Sequence, residues 1–172
     1  SGLLYGIVFS FITISPSMIM QQFGLTKTMF SIYSLFATLC FVVGSLTNIR
    51  LAAIATITKF KLSSIFILGL SLLFCLVTIG TGDAELIAIL IYCYIAFFFI
   101  GIAMPCSVTM ILGFSKTSAG FLAALTGFFH LTGAAAGAYF VTLFTAGPTL
   151  SFSVTTMALS MGSVVICVFI RK

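Results

Sequence analysis

Apolar residues run in six long blocks, and the polar and charged residues gather in the short gaps between them. The blocks cover residues 2–20, 28–49, 62–80, 86–112, 118–145 and 150–170. At about 1.5 Å of rise per residue, a helix over any block reaches across a hydrocarbon layer about 30 Å thick. The blocks are too long and too lipophilic for the alternating strands of a membrane barrel. The pattern predicts an all-α membrane protein, one bundle of six transmembrane helices. Segment 51–58, between the second and third blocks, is too short to cross. Thr81-Gly82-Asp83-Ala84-Glu85, Ser115-Lys116-Thr117 and Gly147-Pro148 read as turns joining antiparallel neighbours.

Composition narrows the class. Charged residues are 5% of the chain and apolar residues 62%, against about 25% charged in a soluble domain. That leaves no room for a soluble domain. The first block lacks a basic leader and is followed by further spans, unlike a cleaved signal peptide. The chain begins Ser1-Gly2 and turns apolar at once, so the expectation is the interior of a longer protein. The net charge of +5 comes from scattered residues, which excludes a nucleic-acid face.

The basic residues give an orientation. With spans alternating, Arg50, Lys59, Lys61, Lys116, Arg171 and Lys172 fall on the side of the N-terminus, and Lys27 alone on the other. Lys and Arg stay cytoplasmic, so both termini are expected inside a cell (inner or plasma) membrane.

Weakly polar residues recur at helical spacing. Ser10, Thr13, Ser17 and Gln21 do so in the first span, Ser31, Ser34, Thr38 and Ser45 in the second, and Ser153, Thr156, Ser160 and Ser163 in the sixth. Such faces should meet other helices or a wet cavity rather than lipid. Most read as contacts between helices; Ser10, Thr13, Ser17, Gln21, Ser34 and Thr38 are the candidates for lining a substrate path. In the fifth span Ala123, Gly127, His130, Ala134 and Gly137 share a narrow face, and Gly133 and Gly137 form a small-xxx-small pair. Gly127, Gly133 and Gly137 should therefore bring a partner helix close. His130 is the one titratable side chain deep in a span. It reads either as a proton-handling group on the path or as a neutral imidazole bonded to a Ser or Thr of the next helix.

Pro16 and Pro105 lie within spans and should kink or break their helices, as gating elements or as static bends. Phe97-Phe98-Phe99 points three ways around its helix and reads as lipid contact or packing. The five cysteines lie inside apolar blocks without metal-ligand spacing, so neither a metal nor another cofactor is expected. An intramembrane hydrolase built on Ser115 and His130 is rejected, because about 15 residues of helix place them roughly 22 Å apart.

Several stretches resemble one family. Gly6-Ile7-Val8-Phe9-Ser10-Phe11-Ile12-Thr13-Ile14-Ser15-Pro16 is similar to the start of the seventh helix of the Bcr/CflA-type drug:proton antiporters of the major facilitator superfamily. Asn48-x-Arg50 is similar to the end of their eighth helix, and the run from Ser118-Ala119-Gly120 to Thr126-Gly127 to the start of their eleventh. The resemblance implies the C-terminal six-helix half of an alternating-access transporter. It implies efflux of a drug-like or siderophore-like amphipathic compound by proton antiport, with a missing N-terminal half as partner. Two departures stand out. His130 occupies a position where the family often has Arg, and the loop holding Arg50, Lys59 and Lys61 lacks the superfamily's full Gly/Asp/Arg pattern. No span here holds a carboxylate, in keeping with the resemblance, which implies that the acidic coupling residue lies in the other half. The alternative is a membrane scaffold or permease subunit acting with other chains. Neither reading makes the chain an enzyme.

Overall fold

The computed structural model describes residues 1–81, 85–113, 119–143 and 147–169. Asp83, Ser115, Lys116, Arg171 and Lys172, and the expected helix margins at 118, 144–145 and 170, lie outside the described residues. Among the described residues there is no strand, and the α-helices are α1 (Gly2–Pro16), α2 (Lys27–Arg50), α3 (Thr56–Thr81), α4 (Leu86–Leu112), α5 (Ala119–Leu143) and α6 (Pro148–Phe169). A π-helical segment, Ser17–Gln22, prolongs α1. With that extension, 6 helices are long and apolar enough to cross a membrane. The chain is a multi-pass, all-α membrane protein.

Local chemistry sets the helix ends. Thr26 caps α2 by accepting the Met29 amide hydrogen at 3.4 Å. Gly24 makes the preceding turn at φ 63°, a conformation that costs a residue without Cβ little. Pro148 opens α6, where a missing amide hydrogen is harmless. α3 begins earlier than the apolar pattern predicts, at Thr56, so Lys59 and Lys61 lie in its first turns. Lysine is a good helix former; Lys61 is half-buried and its long stem lets its charge reach the interface, whereas Lys59 is buried.

The prolines behave differently from each other. Pro16 cannot donate to the Ile12 carbonyl, which instead receives the Ser15 hydroxyl at 3.5 Å, while Ser17 donates to Ile14 at 2.9 Å. Beyond this point the helix widens into the π segment, so a break does occur. Pro105 does not break its helix: α4 runs continuously from Leu86 to Leu112, so of the expected kink or break the break is not met.

Two glycine crossings organise the bundle. α1 and α5 run parallel, with Gly2 facing Gly133 and Gly6 facing Gly137 so closely that a methyl group on either α5 glycine would overlap the α1 backbone. Ser10 reinforces this contact by donating to the Gly137 carbonyl at 2.9 Å. α2 and α4 make the second crossing, where a methyl group on Gly44 would strike the Phe98 backbone and one on Gly101 the Phe41 backbone. Gly133 and Gly137 thus pack as expected, but Gly127 does not: nothing lies within 4 Å of the position its Cβ would take. Gly2, at the start of α1, faces Phe129 and Gly133, so Gly127 lies along α5 before the level at which α1 begins, and about 120° around the helix from Gly133.

α3 packs against α4 and α6, and α6 also against α1. Their shared core is aromatic. Phe74 stacks on Tyr92 at 4.5 Å between ring centres, and both meet Phe152 edge-on. The Tyr92 and Ser71 hydroxyls hydrogen-bond at 3.0 Å, satisfying two polar groups inside this core. The α6 hydroxyl face is wholly buried, at Ser153, Thr156, Ser160 and Ser163. Ser153, Thr156 and Ser160 donate to carbonyls of their own helix, and the Thr156 hydroxyl also hydrogen-bonds with that of Tyr92 on α4, so the face packs through small size and one polar contact across helices.

Exchanging α1–α3 with α4–α6 maps the principal contacts onto themselves. The α1–α5 crossing becomes α4–α2, and α1–α6 becomes α4–α3. An odd number of spans separates equivalent helices, so the repeat is inverted. α2 and α5 fall at the open ends of the arrangement and bury the least of themselves.

Candidate functional site

The glycine crossings draw α1 toward α5 and α2 toward α4, so a cleft opens between α1 and α2. Its volume is about 680 Å³, within the range of small-molecule sites. α1 contributes Tyr5, Phe9 and Ser15, α2 contributes Phe30, Ser34, Thr38 and Phe41, and α4 contributes Phe97, Ile100 and Met104. No charged side chain lines it. The wall is therefore aromatic and aliphatic with a few hydroxyls.

Among those hydroxyls, Ser34 is distinctive. Its Oγ is buried and has no hydrogen-bond partner. The neighbouring Thr38 and Ser31 donate to carbonyls of their own helix, at 3.0 Å each. An unpaired buried hydroxyl costs about 1–3 kcal/mol, a penalty that a polar ligand atom in the cleft would relieve. At the other edge Tyr5 presents its ring to the cleft and stacks on His130 at 4.6 Å with planes 10° apart. Phe9 continues the stack at 6.0 Å from Tyr5. His130 therefore lies behind the wall, and its Nε2 is buried without a partner. The expected bond from the imidazole to a Ser or Thr is not made through this atom; an aromatic stack holds the ring instead.

The expected path residues separate. Ser34 and Thr38 line the cleft. Ser10 is fully buried at the α1–α5 crossing, bonded to Gly6 and Gly137, and so is packing rather than path. Thr13 and Gln21 face outward, and Ser17 is bonded to its own helix. The single face drawn through Ser10, Thr13, Ser17 and Gln21 is thus corrected. On a regular helix the four would share a stripe about 80° wide, but α5 covers that stripe at Ser10 and leaves it open at Thr13, and the π segment after Pro16 changes the angular step before Gln21. Gln22 takes the place expected of Gln21, accepting a hydrogen bond from Thr149 at 2.9 Å.

Tyr5, Phe41 and Met104 were not legible as wall residues, since apolar side chains in apolar helices carry no distinguishing signal. Phe97 packs in the core against Phe11, as the reading of its cluster has it, and also lines the cleft, whereas Phe98 and Phe99 are half-buried. Gly44 and Gly101 had a signal, an isolated glycine in each of two aliphatic helices. Among the described residues no group of three His, Cys, Asp or Glu side chains could hold a metal ion. Compared with protein-family models, curated proteins and solved structures, the chain gives no match.

Proposed function

We propose that this chain is one six-helix half of an alternating-access transporter that moves a small amphipathic compound, with efflux by proton antiport as its mode. The observation that carries the proposal is the uncharged cleft between α1 and α2 with the unpartnered Ser34 hydroxyl on its wall. Such a surface suits a mainly apolar ligand with a hydrogen-bonding group better than a sugar, which asks for many polar partners. The inverted three-helix exchange supports the same reading, because repeats of this kind underlie many transporter folds. In this reading a second six-helix half covers the cleft and supplies the acidic proton carrier, and both termini lie in the cytoplasm. Ser34, Thr38 and Tyr5 contact the ligand, while His130 positions Tyr5.

Reconstitution of this half together with its second half in proteoliposomes with a trapped pH dye tests this. Addition of lipophilic, drug-like compounds should move protons, and Ser34→Trp, which fills the cleft, should abolish the response. Compound uptake without proton movement would remove the antiport claim; neither uptake nor proton movement would remove the transport claim. A second reading, a scaffold or permease subunit, draws on the outward apolar faces of α2 and α5. Stable co-purification with another membrane protein, with no transport by the two chains together, would favour it.

A further inference from the structure

A second site lies at the end of the bundle where α2 and α4 finish and α3 begins. Lys59 is only 8% exposed there, and its Nζ makes one long hydrogen bond, 3.4 Å, to the Asn48 carbonyl. An ammonium has three hydrogens to donate, and a buried one without an anion is costly. Asn48 is turned away by its own contact, its Oδ1 accepting from the Cys106 thiol at 3.2 Å. Among the described residues no carboxylate lies at this end: the one described acidic residue, Glu85, precedes α4 at the opposite end.

The surroundings are shaped for more than an ion. Thr56 lies one turn from Lys59 on α3, and Thr109, Met110 and Gly113 lie one to two turns from Cys106 on α4. Thr56, Thr109, Met110 and Gly113 line an open recess of about 300 Å³. Met110 is shared with a mainly apolar cleft of about 520 Å³, lined also by Leu3, Ile57, Phe60, Ile111 and Ile166 and by the small polar residues Ser1, Ser107 and Ser163. Lys61 follows Ile57 by four residues, which puts it on the same face of α3. Arg50 ends α2 nearby in the chain.

We infer that this is a binding site for an anionic phospholipid. The phosphate enters the open recess beside Thr56, one helical turn from Lys59, whose ammonium turns toward it, and an acyl chain occupies the mainly apolar cleft beyond Met110. A free phosphate would satisfy the ammonium but has no use for the cleft. Basic pockets between transmembrane helices are recognised routes to such headgroups. Occupancy would tie α2, α3 and α4 together at this end, independently of whether the chain transports anything.

The test is native mass spectrometry of the full chain in detergent, titrated with dioleoyl-phosphatidylglycerol or dioleoyl-phosphatidylcholine. Retention of the anionic lipid should exceed that of the zwitterionic one by about fivefold or more, and Lys59→Gln should remove most of this preference. Ile57→Trp, which fills the cleft and leaves every charge in place, should lower retention of both lipids and guards against misfolding of the lysine variant. Equal retention of the two lipids by the unmodified chain would overturn the proposal. So would displacement of the anionic lipid by millimolar inorganic phosphate, or undiminished retention in Ile57→Trp.

Discussion

Gly137→Ala puts the α1–α5 crossing to a direct test. The new methyl group would overlap the Gly6 backbone, which cannot rotate aside as a side chain can. The helices must separate, at an overpacking cost of about 1–3 kcal/mol. Separation also stretches the 2.9 Å hydrogen bond from Ser10 to the Gly137 carbonyl, worth about 0.5–1.5 kcal/mol. Against this, alanine is the better helix former by up to about 1 kcal/mol. The net expectation is a loss of about 2 kcal/mol. Gly127→Ala on the same helix meets open space, keeps the propensity gain and should be neutral or slightly stabilising. The assay is unfolding of the purified chain in mixed micelles, followed by near- and far-ultraviolet circular dichroism across an SDS titration. Ser10→Ala should cost about 1 kcal/mol, and its effect should shrink in the Gly137→Ala background, because the bond is already weakened there. Matching unfolding midpoints for Gly137→Ala and Gly127→Ala would refute the crossing as drawn.

The other expectations use the same preparation. Gly101→Val should open the α2–α4 crossing, destabilise by about 2 kcal/mol or more and raise the accessibility of a thiol at Cys106, read by maleimide labelling. Ser34→Ala should raise stability by up to about 1 kcal/mol, since it removes an unpaired buried hydroxyl, while weakening binding of a hydrogen-bonding ligand about tenfold by equilibrium dialysis. His130→Phe should keep the stack on Tyr5 and leave the unfolding midpoint unchanged, whereas His130→Ala should lose about 0.5–1.5 kcal/mol; equal losses would show that the imidazole nitrogens, not the ring face, hold it.

The six spans could be read from the chain because membrane crossing depends on length and mean apolarity, both of which are local properties. The close approach at Gly133 and Gly137 was legible for a related reason: a small-residue stripe marks a helix surface that lets another backbone come near. The same stripe overran at Gly127, because spacing identifies a face but not where along it the partner begins. The hydroxyls were harder to assign. Ser10 and Ser34 look alike in sequence, yet one is bonded across a helix crossing and the other faces a cleft. That difference depends on which helices neighbour them, and an apolar sequence with few charges says little about neighbours. Pro16 and Pro105 show the converse. Their missing amide hydrogens are equivalent, but Pro16 opens into a π segment near its helix end whereas Pro105 stays within a continuous α4.

The crossings also bear on how the cleft could change width. Sliding α1 on α5, or α2 on α4, drives backbone into backbone at the glycines. The two pairs meet mainly through α3 and α6, where interleaved rings such as Phe74, Tyr92 and Phe152 make the contact. Aromatic side chains can shear past one another by changing tilt, at a cost of tenths to a few kcal/mol rather than a backbone collision. The cleft takes one wall from α1 and the other from α2 and α4, so its walls belong to different pairs. A shear between the pairs would open or close it while leaving both glycine crossings intact, and the motion would pass through Tyr5, which His130 holds from the α5 side.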